Sequence, residues 1–189
     1  MEQKITINCV IGIDPGSNGG IAIFIPGQNV KVVKMPKDIT DLRDFFAYYV
    51  ENYKPIVFLE KLSVRPDDVM ADGARANMGK MYRIQKMMAN YEHLKALAET
   101  SGIPYVMVHP GKWMSYLGLR ITSRNGVKET KQERKNRYKE FAQKNYPSIN
   151  VTLWNADALN IMHFARKVLV NDLSWVRANL PIKEHTKLF

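Results

Sequence analysis

The sequence predicts an α/β fold: a mixed five-stranded sheet, made of a three-strand antiparallel meander plus two parallel strands, flanked by helices. Three observations predict it. Apolar runs lie on either side of the turn Asp14-Pro15-Gly16-Ser17-Asn18-Gly19, and a third follows Pro26-Gly27. Three short strands therefore succeed one another with only tight turns between them, which is an antiparallel arrangement. Two later apolar runs, at residues 56–60 and 103–108, are each preceded by a stretch with helical spacing. A strand–helix–strand–helix–strand order after a meander places parallel strands beside antiparallel ones, with helices covering the sheet.

The strands are expected at residues 5–13, 20–25 and 30–35. Thr40 or Asp38 caps a helix over 41–53, whose Leu42, Phe45, Phe46, Tyr49 and Val50 share one face. Pro55 closes that element, and Ile56-Val57-Phe58-Leu59 is a short buried strand ending at Glu60. Residues 62–74 read as a loop. A long helix over 74–100 follows, with Met78, Met81, Ile84, Met88, Tyr91, Leu94 and Leu97 as its apolar stripe. Ser101-Gly102 stops it before the strand at 103–108, and Pro110 opens a short helix through Leu117. A basic helix spans 130–145, and the last clear helix runs over 155–168. Residues 1–170 make one domain, with 171–189 as a C-terminal tail.

Composition narrows the partners. The 189 residues include 28 Lys and Arg against 18 Asp and Glu, a net charge of +10. Such an excess points to a polyanion, nucleic acid before an anionic membrane. The charge is concentrated. Arg120, Arg124, Lys128, Lys131, Arg134, Lys135, Arg137, Lys139 and Lys144 face only Glu129, Glu133 and Glu140, so residues 120–147 hold +6 of the +10. Clustered cations fit phosphates better than scattered ones. The single cysteine, Cys9, excludes an intrachain disulfide and suits a reducing compartment. No run approaches a membrane span, and the N-terminal apolar run is broken by Asp14, unlike a signal peptide, so a cytosolic protein is expected.

Three acids stand out by position. Asp14 ends the first strand, Glu60 ends the fourth, and Asp157 lies in the first turns of the last long helix, beside Ala158, Leu159 and Ile161. Carboxylates at two strand ends and on a covering helix can converge on one point. Hard cations such as Mg²⁺ take oxygen ligands. A pair of such ions can activate water and stabilise a leaving oxygen in phosphoryl displacement. Each acid also has a plainer role: an Asx-turn for Asp14, an ion pair with Lys61 or Arg65 for Glu60, and a favourable charge at a helix N-terminus for Asp157. Asp14 by itself fits either role equally well. The three together on a basic chain favour a shared site.

Gly12-Ile13-Asp14-Pro15-Gly16 with Gly19-Gly20, then Phe58-Leu59-Glu60, then Ala156-Asp157-Ala158-Leu159, resembles the RuvC-type Holliday junction resolvases of the RNase H-like nuclease superfamily. Ile103-Pro104-Tyr105, Val108-His109-Pro110, Trp113 and Leu117-Gly118 are similar to a further stretch of phage and bacterial members. The resemblance covers roughly residues 6–168. It implies an RNase H-like fold and hydrolysis of a DNA phosphodiester by metal-activated water. Asp14 would bridge two Mg²⁺ (or Mn²⁺) ions, with Glu60 and Asp157 completing their coordination. It also implies a homodimer acting on the two strands of a four-way junction, with the Met-rich helix near Met78–Met88 in the region of dimer contact. Two places depart from the family. Its usual acid or His three residues before the last Asp is Trp154 here, with Asn155 nearby as a weaker oxygen ligand. Its aromatic wedge after the Glu is replaced by Leu62, Ser63 and Val64.

Lys112, Lys128, Lys131 and Arg134 are the candidate contacts to the DNA backbone. His109 and Trp113 read as a loop-packing residue and a core anchor. Two other functions compete. One is a junction-binding protein that cuts weakly or not at all, prompted by Trp154. The other is an ATP-binding protein of the actin-like fold, which also opens on a Gly-x-Asp-x-Gly hairpin but needs two such domains and a second phosphate loop.

Overall fold

The computed structural model describes residues 7–16, 18–63, 78–121 and 129–181. Five strands, β1 (Cys9–Ile13), β2 (Gly20–Phe24), β3 (Lys31–Lys34), β4 (Pro55–Glu60) and β5 (Tyr105–Val108), form one sheet in the order β3-β2-β1-β4-β5. β1–β2 and β2–β3 pair antiparallel, while β1–β4 and β4–β5 pair parallel. This is the meander-plus-two-parallel arrangement expected from the sequence. The turn at Pro26-Gly27 is closed by a hydrogen bond from Gln28 N to Ile25 O at 3.1 Å.

Among the described residues six helices cover the sheet: α1 (Ile39–Asn52), α2 (Met78–Thr100), α3 (Pro110–Tyr116), α4 (Lys131–Asn145), α5 (Ala156–Asn171) and α6 (Leu173–Asn179). Strand alternation divides the core. Cys9, Ile11 and Ile13 face α1 and α2, whereas Val10 faces the layer built by α3 to α6. α5 packs across β1, β2 and β4 and is the central helix of that layer. It can lie so close because β1 carries Gly12. A Cβ there would stand 2.4 Å from Met162 N and 2.7 Å from Met162 Cα.

Helix starts follow their caps. Asp38, not Thr40, caps α1, accepting from Thr40 N at 2.6 Å. Thr130 caps α4 in a reciprocal box with Glu133. Pro55 does not close α1; it opens β4, opposite Cys9. The apolar stripe expected along α2 packs against the core from Met88 onward, with Tyr91, Leu94 and Ala98 buried. Met78, 74% exposed, Met81 and Tyr82 face outward. The expected tail begins with α6. Asp172 caps that helix through Trp175 N, Val176 is buried in the core, and the Trp175 ring meets Phe164 edge-on at 5.6 Å. The packed chain therefore runs past residue 170, because Trp175 and Val176 supply apolar surface for the α5 layer. No helix among the described residues is long and apolar enough to cross a membrane.

Candidate active site

Sheet alternation and register position two of the three acids. In β4, Ile56 and Phe58 face the α5 layer, so Glu60 faces it as well. In β1, Val10 and Gly12 face the same way, and Asp14 follows in phase. Ile13 pairs with Leu59, so Asp14 and Glu60 leave adjacent parallel strands side by side. Asp157 sits in the first turn of α5, 7% exposed. The close approach at Gly12 brings that helix end down to the strand ends.

The Asp14 turn is built tightly. Asp14 N donates to Gly20 O at 3.0 Å, and Gly16 N donates to Asp14 Oδ1 at 3.0 Å. The Asx-turn and the ligand role are therefore compatible, since one carboxylate oxygen shapes the loop and the other remains. Gly19 lies against Asp14, where a Cβ would stand 2.2 Å from its carbonyl oxygen. Asn90 of α2 ties the loop down from the far side, donating to Pro15 O at 3.1 Å.

The three acids lie in one another's electric field. Burial, then the charge of Asp157, hold Asp14 above the usual carboxylate range. Burial first, then Asp14, push Glu60 up to about 8, against the pull of its hydrogen bond from Trp113. Trp113 Nε1 donates to Glu60 Oε1 at 2.9 Å. Trp113 is thus both the buried anchor expected of it and the residue that orients Glu60. Lys135 of α4 completes the cluster with an ion pair to Asp157 Oδ2. Asp157 Oδ1 is buried with no protein partner. Among the described residues no group of three His, Cys, Asp or Glu side chains forms a ready-made cation site. The three acids are near enough to raise one another's proton affinity, and the cation beside Asp157 is an ammonium.

Lys135 was not singled out in the sequence, though a signal was there. It lies on the helical face of Tyr138 and Ala142, both buried, so it points inward while Lys131, Arg134 and Lys139 are exposed. The other candidates divide. Lys131 and Arg134 are exposed on α4, within a turn of Lys135. Lys112 is exposed, with its ammonium 5.0 Å over the Trp175 ring. Lys128 lies outside the described residues. Arg137, part of the basic run, is spent internally on Glu129 and on Leu119 O. His109 caps α3 through Gly111 N at 3.2 Å. Trp154 packs over Gly20 instead of presenting an oxygen ligand. Asn155 is committed within its own loop: its Oδ1 accepts from Thr152 N and its Nδ2 donates to Asn150 O.

Burial of Glu60 predicts a pH dependence of folding. Between about 4.5 and about 8 the folded chain keeps a proton that the unfolded chain has released. Stability therefore falls as pH rises through that window. His163, pushed down to about 4 by burial, acts in the opposite sense, but only below about 6.5. Urea unfolding at pH 6.5 and 8.5 avoids the histidine window. Native protein should be less stable at 8.5, and Glu60→Gln, which keeps the Trp113 bond, should remove most of the fall. An equal fall in both would show that Glu60 is not the source.

A mixed sheet of this order, covered on both faces and carrying acids at the ends of its central strands, is the RNase H-like fold. The architecture matches T. thermophilus RuvC solved in complex with a Holliday junction substrate, with a TM-score of 0.51 and 14% identity over 85% of this chain and 94% of that one. A structure of Thermus thermophilus RuvC also aligns, with a TM-score of 0.48 and 14% identity over 91% of this chain and 98% of that one. No protein-family model matches the sequence, and no curated protein matches it. The chain has the RuvC fold.

Proposed function

We propose that this protein is a divalent-cation-dependent endodeoxyribonuclease that hydrolyses phosphodiesters in branched DNA, with the four-way junction as its substrate. The observation that carries the reading is the placement of Asp14, Glu60 and Asp157 in one field at the strand ends, beside a helix bearing Lys131 and Arg134. The RuvC fold supports it.

The donor set fits a hard cation. Three acidic side chains confront one ammonium, burial and the charge of Asp14 push the Glu60 carboxyl well above the usual range, and Asp157 Oδ1 lacks a partner. A divalent ion supplies the missing positive charge. Asp14, Glu60 and Asp157 would hold it, and when bound it polarises the phosphoryl group and makes water a better nucleophile. The chain's own residues prepare the rest. The Asx-turn fixes Asp14, the Trp113 indole fixes Glu60, and the Lys135 ion pair holds Asp157 at the start of α5. Exposed Lys131 and Arg134, with Lys112 and Lys128, would hold the phosphate backbone. Two ions remain the expectation from the resemblance, although Trp154 and the committed amide of Asn155 leave the second with few protein ligands.

The protein would act as a homodimer, with the exposed Met78, Met81 and Tyr82 of α2 offering apolar surface to a second copy. Its place of action would be the cytosol of a bacterial or phage-infected cell. The test is a labelled four-way junction incubated with the protein and Mg²⁺ or Mn²⁺. Paired nicks near the branch point that vanish with EDTA support the reading. Binding without cleavage in either metal would favour the non-cutting alternative, which the missing fourth acid makes chemically reasonable.

A further inference from the structure

We propose that Lys135 is the site's built-in counter-ion: in the metal-free protein its ammonium holds the cation place beside Asp157, and a divalent ion must displace it to bind. This rests on the metal-binding reading above and adds a competitor to it.

The geometry is particular to this lysine. α4 starts at a fixed point, because Thr130 and Glu133 cap each other's backbone donors. It is then clamped to α5, where the buried Asn160 donates to Tyr138 O at 3.0 Å. Between those anchors Lys135 lies on the buried face with Tyr138 and Ala142, its side chain only 31% exposed. The flanking Arg134 and Asn136 face solvent. A long cation on an otherwise packed face costs desolvation, and here an ion pair to Asp157 Oδ2 offsets it. The same positive charge lowers the proton affinity of Asp14 and of Glu60, so its field reaches all three acids.

An ammonium and a divalent ion cannot share that space cheaply, since like charges at close range repel. Removing the ammonium should therefore help the metal and harm the metal-free protein. A residue that merely packed would weaken both states equally.

The experiment measures Mn²⁺ binding by calorimetry, and melting temperature in EDTA and in saturating Mn²⁺, for the native chain, Lys135→Met and Lys135→Arg. Lys135→Gln is the second neutral variant should the methionine fail to fold. The neutral variants should bind Mn²⁺ roughly tenfold tighter, in the range of ordinary coupling between sites. They should melt lower than native protein in EDTA, and the gap should close in Mn²⁺. Lys135→Arg should behave as native. Equal or weaker Mn²⁺ binding by the neutral variants, with native binding intact, overturns the counter-ion role and leaves the metal site standing. No Mn²⁺ binding by any form overturns the metal reading itself, and the counter-ion with it.

Discussion

Asp14→Asn should abolish junction cleavage, by at least about 10³-fold, while leaving the fold and DNA binding intact. The magnitude follows from where the carboxylate stands. It leaves the central strand beside Glu60 and feels Asp157, so it is the acid through which the cluster is joined. Asparagine keeps the oxygen that accepts from Gly16 N, so the loop survives the change. It removes the charge that, after burial, does most to raise Glu60. The variant should therefore be no less stable than native protein at pH 8 in EDTA, and unfolding would not explain its inactivity. The measurement is a single-turnover nicking rate alongside a gel-shift titration. Cleavage retained within tenfold would remove Asp14 from the chemistry.

Gly12→Ala should be strongly destabilising. Its Cβ would lie 2.4 Å from Met162 N, and a helix backbone cannot step aside as a flexible side chain can. Replacing glycine in a strand gains roughly 0.5–1 kcal/mol of backbone propensity. Forcing α5 off the sheet costs more, about 3 kcal/mol or above. For a chain of this size the net loss corresponds to a melting temperature roughly 4–10 °C lower. The same displacement carries Asp157 away from Asp14, so activity should fall further than stability alone explains. Thermal melts and nicking rates on the variant check both. An unchanged melting temperature would mean that the helix does not press on the strand as described.

Much of this was readable before the fold was known, for identifiable reasons. The period-two runs and the Pro-Gly turn defined the meander, and the helical stretches before Ile56 and Ile103 required crossovers, so a mixed sheet with two parallel strands followed. The acids were legible because strand ends and a helix start are marked by composition. Packing between distant segments was not. α2 carries a full apolar stripe, but Met78 and Met81 at its start are exposed while Tyr91 and Leu94 are buried, and periodicity cannot reveal where packing begins. Lys135 was lost among nine basic residues because charge counts do not say which of them turns inward. The Trp113–Glu60 bond joins residues 53 apart, and no local pattern announces it. The helix at Leu173 reads as tail in the sequence, because its capping Asp172 and apolar Trp175-Val176 pair are too short a signal beside a polar end.

Asp14, Glu60 and Asp157, remote in sequence, are expected to form one cation site. Crystals of the native protein grown or soaked in Mn²⁺ test it most directly, through the anomalous signal of the metal. A peak within coordinating distance of Asp14, Glu60 and Asp157, with the Lys135 ammonium moved off Asp157, is the predicted result. Manganese bound only elsewhere, or no peak at an Mn²⁺ concentration that supports cleavage, would contradict it.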